Sequence, residues 1–402
     1  MRFLLSVLPV LCLTVGCNTV PDRPAETSDI HISRLFEAEQ GGYAHYRVPA
    51  ITVSPAGTVM VVVEARASSS GDWGLQDILM RRSFDWGETW DEPRKIVELE
   101  GVQEPNEAAL AQGLTEPGVT TYNNIVPIAD PSAGVVHFLV CSAYARAYYT
   151  RTEDDGETFT EPVEITDTFE KFREEYDWKV IATGPGHGIR HSNGRLIVPV
   201  WLSDGTGGHA HRPSIVSTIY SDDGGATWER GDVVVRHPEL KNPSETLAVE
   251  LSDGTVMLNI RNESPEHRRA VTIGPDGASG WSEIRFDEDL VEPICMGSLL
   301  RVGDALLFAN PDSTEPRSPE NPEGNWKRQN LSIRISEDDG ETWPYKRVIE
   351  PGVSGYSDLA SDGDGNIYCV YEDGTPSDRG THVKYLSVAR FKIDWIRGGR
   401  AM

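Results

Sequence analysis

The sequence predicts an all-β protein with the architecture of a six-bladed β-propeller. Two observations support this prediction: a short turn motif that occurs four times, and short apolar runs that are separated by turn-forming residues. Repeated hairpin units of this kind are typical of propellers, in which four-stranded sheets surround a central channel. A chain of 402 residues could hold two or three domains, but the recurrence of one unit indicates a single propeller.

The turn motif follows the pattern Ser/Thr-x-Asp-x-Gly-x-Thr-aromatic. Its four copies are Ser83–Trp90, Thr152–Phe159, Ser221–Trp228 and Ser336–Trp343, and a degenerate fifth is Thr272–Trp281. We expect the aspartate to accept hydrogen bonds from backbone amides of the turn, and the glycine to adopt a backbone angle that other residues avoid. The terminal Trp or Phe would anchor each hairpin in the core.

Apolar runs flanked by Gly, Asp, Asn or Pro predict the strands. The runs are Ala50–Val63, Val135–Cys141, Arg195–Trp201, Thr255–Ile260, Ala305–Phe308 and Asn366–Tyr371. Only Thr168–Glu175 has a helical pattern, so we expect little helix. We place the propeller at residues 31–396 and a short tail at 397–402.

The amino terminus has the pattern of an export signal. Residues 1–16 run from Arg2 through an apolar stretch to small residues and are too short to span a membrane. The segment LTVGC resembles a bacterial lipoprotein box, which would make Cys17 the lipidated first residue of the mature chain. Thr14 stands where such boxes usually have Leu, so cleavage by an ordinary signal peptidase is the alternative. Residues 17–30 would form a tether, and we expect a cell-envelope lipoprotein of the periplasm or outer membrane, or otherwise a secreted protein.

The charge balance restricts the class of partner. The chain has 37 Lys and Arg against 63 Asp and Glu, a formal net charge of −26. Nucleic acid and anionic lipid surfaces require a basic protein surface, so we expect no nucleic-acid partner. An anionic ligand would have to be bound by a local cluster of arginines.

The cysteines and histidines give no pattern of a metal site or a disulfide framework. Cys141, Cys295 and Cys369 remain in the mature chain, and the first and last lie in apolar strand patterns where a buried thiol acts as a small hydrophobe. Two histidine pairs, His187 with His191 and His209 with His211, lie in Gly-rich loops without the carboxylates of a catalytic metal site. We interpret them as solvated loop residues, and we expect no metal and no cofactor.

Six short segments with arginines, carboxylates and a tyrosine occur once each, in a fixed order relative to the turn motifs. They are HYRVPAI with Arg47, VVVEAR with Arg66, SSSGDWG with Asp72, NPSETLAVELSDGTVMLNIRNES with Glu245 and Arg261, RQNLSIRISEDDGETW with Arg328, and GYSDLA with Tyr356. Together they resemble the sialidase (neuraminidase) superfamily, and in particular bacterial exo-α-sialidases, in which the turn motif is called the Asp box. The resemblance covers Ala44–Asp358.

The resemblance implies that Arg47, Arg261 and Arg328 form a clamp for the carboxylate of a sialic acid. Planar guanidinium groups bind carboxylates through paired, charge-assisted hydrogen bonds. Arg66 would either contact the ligand or orient Asp72. Asn124 would line the substrate's amide or hydroxyl side, a role that Asp130 could fill instead.

The resemblance also implies the catalytic residues. Tyr356 would be the nucleophile, because a neutral phenol can approach an anomeric carbon that bears a carboxylate without the repulsion an anionic nucleophile would meet. Glu245 would be its base, and Asp72 would be the acid and later the base for water. Asp77 is a rival of Asp72, and Glu250 is a rival of Glu245.

Several functions fit these residues. The first is an exo-α-sialidase that hydrolyses terminal α-linked sialic acids of glycans, glycoproteins or glycolipids with retention of configuration. The alternatives are a hydrolase or trans-glycosidase for a related nonulosonic or ulosonic acid, and a non-catalytic sialoglycan-binding propeller. The run Tyr144–Tyr149 could form an aromatic wall of the pocket or simply a packed strand.

Overall fold

A computed structural model describes residues 30–68, 71–101, 103–206, 208–374 and 383–398. The proposed signal at 1–16, Cys17, the tether up to residue 29 and the end of the tail lie outside the described residues. None of the helices in these ranges is long and apolar enough to cross a membrane.

The first half of the chain forms three antiparallel sheets, after an initial strand β1 (His31–Glu37) that pairs elsewhere. The first sheet contains β2 (His45–Val53), β3 (Val59–Arg66), β4 (Gln76–Ser83) and β5 (Arg94–Lys95). The second contains β6 (Tyr122–Asp130), β7 (Val135–Ser142), β8 (Arg146–Thr152) and β9 (Val163–Glu164). The third contains β10 (Val180–Thr183), β11 (Ile189–Arg190), β12 (Leu196–Ser203), β13 (Ser214–Ser221), β14 (Glu229–Arg230) and β15 (Val235–Arg236).

The second half adds a four-stranded sheet, a seven-stranded sheet and a small hairpin. The fourth sheet contains β16 (Thr246–Glu250), β17 (Val256–Ile260), β18 (Arg268–Gly274) and β19 (Arg285–Val291). The hairpin is β22 (Pro316–Ser318) and β23 (Asn321–Trp326). The seven-stranded sheet contains β20 (Ser298–Val302), β21 (Ala305–Pro311), β24 (Gln329–Ser336), β25 (Tyr345–Ser361), β26 (Ile367–Asp373), β27 (Tyr385–Phe391) and β1.

Helix is confined to short pieces between sheets. They are α1 (Glu107–Ala111), α2 (Thr166–Glu170), a 3-10 helix (Lys171–Glu174) and α3 (Ile393–Arg397). The helical pattern at 168–175 is therefore confirmed, whereas α1 and α3 were not predicted. The apolar run 50–63 is not one strand but the hairpin of β2 and β3, because Ser54–Gly57 forms its turn.

The apolar core lies between neighbouring sheets, so that the sheets form a closed ring with a β-propeller-like arrangement. Buried side chains from successive sheets belong to common core clusters, for example Met60 and Phe138, Leu139 and Val198, Ile197 and Leu258, Met257 and Leu306, and Val61 and Val370. The all-β prediction is confirmed, and the number of six blades stays a prediction. Cys141, Cys295 and Cys369 are buried free thiols.

The four turn motifs share one hydrogen-bond pattern. In each, the aspartate accepts the amide of the threonine four residues later, at 2.8 Å in the first three copies and 2.9 Å in the fourth. The glycines have positive φ angles between 73° and 88°, a region in which glycine carries no steric penalty. In the degenerate copy Asp276 still accepts the amide of Ala278, at 2.9 Å. These contacts confirm the structural role predicted for the motif.

Candidate active site

A cavity of about 220 Å³ collects nearly all the residues that the sequence singled out. Its walls include Arg47, Asp72, Asn124, Glu245, Arg261, Arg328 and Tyr356. Arg47, Asn124 and Tyr356 lie on strands of three different sheets, and the others lie in segments beside strands. The ring of sheets therefore brings together side chains that are far apart in the sequence.

Glu245 and Arg261 are neighbours because they flank the hairpin of β16 and β17. The amide of Arg261 donates to the Glu245 carbonyl at 3.2 Å, and the amide of Ser244 donates to the Arg261 carbonyl at 3.0 Å. This pairing extends the antiparallel ladder by one step beyond the strands. The two side chains are thus held together by backbone geometry, and Arg261 also forms an ion pair with Glu245.

Tyr356 on β25 completes this group. Its hydroxyl donates a hydrogen bond to Oε1 of Glu245 and accepts one from Nη1 of Arg261 at 2.8 Å. Burial raises the pKa of Tyr356 above its ordinary value and Glu245 raises it further, while Arg261, Arg328 and Arg47 lower it. The phenol is therefore neutral in the ligand-free site, with an acceptor for its proton already in place.

Three guanidinium groups surround the Tyr356 ring. Their central carbons lie 5.2 Å (Arg47), 6.0 Å (Arg261) and 5.3 Å (Arg328) from the ring centroid. These are distances at which a cation interacts favourably with an aromatic face. The three predicted clamp arginines thus converge on the predicted nucleophile.

Glu372 on β26 is a site residue that the sequence analysis missed. It is 1 % exposed and accepts hydrogen bonds from Arg47 Nε at 3.0 Å and Nη2 at 3.2 Å. The same carboxylate accepts the amides of Val48 and Tyr356, at 3.1 and 3.0 Å. One buried acid therefore fixes an arginine and the backbone of the tyrosine. Its signal in the sequence is an acidic residue inside the apolar strand IYCVYED.

Val48 has a strained backbone next to this arginine. Its φ angle is +51°, a conformation that branched residues rarely adopt. The register of β2 against β3 shifts at this point, so the strand bulges where it enters the cavity. Such strain tends to be kept at functional sites, where the surrounding structure enforces it.

Arg66 lies behind Asp72 rather than in the cavity wall. Nη2 of Arg66 is 3.0 Å from Oδ1 of Asp72 and 2.6 Å from Oε2 of Glu64. The Arg66 side chain is 1 % exposed, against 42 % for Asp72. Of the two roles considered for Arg66, this placement favours orienting Asp72.

The charges around Asp72 hold it ionised. Burial acts to raise the pKa of Asp72, but Arg66, His211 and Arg47 together lower that pKa to about 2. A carboxyl group with this pKa is ionised at neutral pH, so it accepts hydrogen bonds and is a poor proton donor before substrate binds.

Asn124 lies in the cavity wall with a φ angle of +54°. Its amide donates to Glu64 at 2.9 Å, and its side-chain Nδ2 donates to the Thr183 carbonyl at 3.1 Å. Asp130 instead accepts hydrogen bonds from its own turn and pairs with Arg190 at 2.8 Å. Of the two candidates, the structure places Asn124 in the cavity.

The rival carboxylates lie outside the cavity wall. Asp77 accepts from the Tyr43 hydroxyl and pairs with Lys95, both at 2.7 Å. Glu250 accepts the amide of Ser192, also at 2.7 Å. Both are engaged in structural contacts.

An aromatic wall borders Asp72, and it was predicted only in part. Tyr144 lines the cavity as one alternative had it, whereas Tyr148 is buried between the first two sheets. The His211 ring lies 5.0 Å from the rings of Trp73 and Tyr144 and 5.2 Å from that of Trp201. Burial lowers the pKa of His211 to about 4 despite the nearby Asp72 carboxylate, so its imidazole is neutral at neutral pH.

The interpretation of the histidines as solvated is wrong for three of the four. His191 is buried, His187 donates from Nδ1 to the buried Asp358 carboxylate at 2.7 Å, and His211 is enclosed by aromatic rings. Only His209 is exposed. The described ranges contain no group of three or more His, Cys, Asp or Glu placed to hold a metal ion.

The fold and the cavity define a class of protein: a β-propeller-like domain with an arginine-lined cavity around a tyrosine, with Asp72 and Glu245 among the carboxylates of its wall. The chain belongs to the sialidase superfamily, and the model of the BNR repeat-like domain family matches its residues 103–369.

Two curated relatives are sialidases. The sialidase of Micromonospora viridifaciens is 29 % identical over 385 residues, covering 89 % of this chain and 53 % of that protein. The sialidase of Bacteroides fragilis is 28 % identical over 359 residues, covering 82 % of this chain and 60 % of that protein. The chain thus spans between half and three fifths of the length of these relatives.

Solved structures share the fold. A Hadza microbial sialidase superposes with a TM-score of 0.70 at 24 % identity, covering 89 % of this chain and 68 % of that one. A leech intramolecular trans-sialidase superposes with a TM-score of 0.71 at 16 % identity, covering 92 % and 71 %.

Proposed function

We propose that the protein is an exo-α-sialidase, a glycoside hydrolase that removes terminal α-linked sialic acids from glycoconjugates with retention of configuration. The observation that supports this most is the Tyr356 phenol, which donates to Glu245 inside a ring of three guanidinium groups. Two sialidase relatives that cover most of the chain support the same activity.

The arginines account for recognition of an anionic sugar. Arg47 and Arg261 are each paired with a carboxylate, Glu372 and Glu245. Within the described residues, Arg328 donates only to the Ile294 carbonyl, at 2.5 Å. The clamp therefore keeps net positive charge for a substrate carboxylate, and each charge-assisted hydrogen bond contributes roughly 1.5–3 kcal/mol.

The tyrosine would act in two displacements. In the first, the Tyr356 proton passes to Glu245 and the phenolic oxygen attacks the anomeric carbon, while Asp72 donates a proton to the departing glycosidic oxygen. In the second, water attacks the same carbon, Asp72 takes the water's proton, and the phenolic oxygen leaves and recovers its proton from Glu245. Two inversions at one carbon give retention.

Substrate binding would make Asp72 a better acid. Arg47 is among the groups that lower the pKa of Asp72, and a bound carboxylate would offset the charge of that arginine. We expect the pKa of Asp72 to rise in the complex, which couples proton donation to the presence of the substrate.

A trapping experiment tests the mechanism. A 2,3-difluorinated sialic acid with a good leaving group should form a covalent adduct, because fluorine beside the anomeric carbon destabilises the oxocarbenium-like transition state and slows breakdown of the adduct. Peptide mapping should find the label on Tyr356, and NMR should show α-sialic acid as the first product from an α-linked sialoside. A label on a carboxylate, or a first-formed β-anomer, would contradict the mechanism; no turnover of any sialoside would contradict the activity.

We also propose that the ring has six blades. The first residues of the 17-residue strand β25 pair with β24 and its last residues pair with β26. The seven-stranded sheet would then contain two blades that share β25, and the one six-stranded and three four-stranded sheets would be the other four blades.

For the amino terminus, outside the described residues, we propose export and acylation at Cys17. Labelling of cells with palmitate should mark the wild type, and Cys17→Ser should release the protein in soluble form. An unlabelled wild type with another mature amino terminus would refute acylation.

A further inference from the structure

A fully buried ion pair lies beside the cavity without a role in the proposed mechanism. Arg269 on β18 and Glu292, which follows β19, are both 0 % exposed, and Nη1 of the arginine is 2.5 Å from Oε2 of the glutamate. Removing two charges from water is unfavourable, and a well-packed apolar pair of similar volume is often at least as stable. Stability alone is therefore a weak explanation for this pair.

Both members of the pair hold the same short loop. Nη1 of Arg269 donates to the Cys295 carbonyl at 3.2 Å, and Oε1 of Glu292 accepts the Cys295 amide at 2.9 Å. The arginine is itself fixed by Asn259, through its Nε to Oδ1 at 2.6 Å and its Nη2 to the carbonyl at 3.1 Å. The Cys295 backbone in the loop 292–296 is thus held by hydrogen bonds to both members of the buried ion pair.

The other side of this loop faces the proposed active site. Ile294 has a φ angle of +63°, which is strained for a branched residue, and its carbonyl accepts Nη2 of Arg328 at 2.5 Å. Cys295 and Met296 form a buried cluster with Tyr356. One loop therefore contacts both a clamp arginine and the nucleophile.

Arg328 depends on this loop because, unlike the other two clamp arginines, it is not paired with a carboxylate in the part of the chain that the structure describes. Arg47 is held by Glu372 and Arg261 by Glu245, whereas Arg328 forms no ion pair within the described residues. Apart from its contact with the Tyr356 ring, the Ile294 carbonyl is the hydrogen-bond partner that sets its direction within these residues. A shift of the loop would leave the charge of Arg328 in place but turn its guanidinium plane.

We propose that the Arg269–Glu292 pair is a positioning device for Arg328, which fixes the strained loop so that the Ile294 carbonyl aims the guanidinium at the substrate's anionic group. This inference rests on the proposed function, in which Arg328 binds the substrate carboxylate. Neither member of the pair lines the cavity, so both are positioning residues.

Glu292→Gln tests the proposal, since it keeps the shape of the side chain and removes its charge. Binding of 2-deoxy-2,3-didehydro-sialic acid, measured by calorimetry, should weaken roughly tenfold to a hundredfold, the size of effect that a displacement of about 1 Å produces in a binding constellation. With an aryl sialoside, kcat/KM should fall by a similar factor.

A double-mutant cycle separates positioning from general destabilisation. If the pair acts through Arg328, the Glu292→Gln/Arg328→Lys variant should bind no more weakly than the weaker single variant. A pair that serves only the fold would give effects that add. The neutral variant Arg269→Gln/Glu292→Gln leaves no unpaired buried charge, and it replaces Glu292→Gln in the cycle if that variant does not fold.

Asp91→Asn is the matched control. It removes one of two carboxylates paired with Arg82, each 2.9 Å away, outside the cavity wall, and should leave affinity unchanged. If the wild type binds the analogue but both pair variants keep affinity within about twofold, or if the cycle is additive, the positioning role is refuted while the proposed function stands. A wild type that neither binds the analogue nor cleaves sialosides would refute both.

Discussion

The Asp72 carboxyl has a pKa of about 2. Burial acts to raise this pKa, but the charges of Arg66, His211 and Arg47 lower it. Far above that pKa, the protonated fraction falls tenfold with each pH unit. The value of kcat/KM reports ionisations of the free enzyme. Only a very small fraction of Asp72 is therefore protonated before substrate binds.

We predict that kcat/KM for a natural sialoside falls by roughly tenfold per unit between about pH 5 and 8. An aryl sialoside with a good leaving group needs little protonation, so its profile should be much flatter. Asp72→Ala should remove the difference between the two substrates. Parallel profiles for both substrates in the wild type would show that Asp72 is not the acid.

A second carboxyl group, Asp373, gives a prediction about stability. Burial raises the pKa of Asp373 to about 6; Glu350 also raises it, while a hydrogen bond from Ser387 and the charge of Arg34 lower it. Because the folded-state pKa is above the ordinary value near 3.9, this group destabilises the folded protein progressively as pH rises from about 4 to about 6.

Asp373→Asn should therefore stabilise the protein above about pH 6, by up to about 3 kcal/mol, and change little below about pH 4. Urea unfolding at the two pH values measures the difference. Asp304→Asn, at an exposed aspartate, is the control and should show no such pH dependence. Equal stability of Asp373→Asn and wild type at neutral pH would show that the buried carboxyl costs nothing.

Apart from Arg66, the site residues that the sequence analysis selected face the cavity. Arg47, Asp72 and Tyr356 lie in local segments whose order along the chain is informative. Glu372 and Ile294, which hold two of the clamp arginines, could not be found in this way. Their roles arise only when strands that are distant in sequence become neighbours. In the sequence alone, Glu372 and Ile294 have the pattern of ordinary strand or loop residues.

At the scale of elements, the turn motifs were the most reliable signal because their hydrogen bonds are local. Asp85 accepts from the Thr89 amide at 2.8 Å, from the Thr89 hydroxyl at 2.6 Å and from the Ser83 hydroxyl at 2.8 Å. All three partners lie within four residues, so the sequence alone defines the turn. Helix α1 was missed because its five residues are too few to show a helical period.

Asp85→Ala should destabilise the protein by about 1–2 kcal/mol, since it removes acceptors from a backbone amide and two hydroxyl groups. Activity should stay within about twofold of wild type, because Asp85 does not line the cavity. Chemical denaturation and an aryl sialoside assay measure the two quantities. The nearby exposed Glu92 provides the control: Glu92→Ala should change stability by less than about 0.5 kcal/mol. A large loss of activity at unchanged stability would contradict a purely structural motif.

At the scale of the whole molecule, a formal net charge of −26 is compatible with a cluster of arginines, because salt screens the interaction between distant charges. At physiological ionic strength the screening length is about 8 Å. Within the cavity the charges of Arg47, Arg261 and Arg328 therefore outweigh the distant acidic surface. Composition predicts that nucleic acid is not a partner, and this stays a prediction; the positions of the concentrated positive charge appear only in the folded ring.

Closure of the ring also belongs to this scale, because it joins the two ends of the described chain. Strand β1 pairs with β27 from His31 opposite Arg390 to Glu37 opposite Tyr385. It buries Leu35 and Phe36 against the first and last sheets. Arg390 on β27 then donates to the Trp86 carbonyl in the first turn motif, at 2.6 Å. The first strand thus completes the sheet that precedes β2 in the ring.

A chain that begins at residue 38 should therefore lose far more stability than one that begins at residue 31. Loss of β1 removes two buried side chains, each worth about 2–5 kcal/mol in a core, and leaves β27 as an open edge that can pair with other molecules. Thermal unfolding should shift to clearly lower temperature, and gel filtration should show aggregates. Phe36→Ala, with β1 intact, should show an intermediate loss without aggregation. If the chain that begins at residue 38 unfolds at the same temperature as the one that begins at 31, the ring does not depend on β1 for closure.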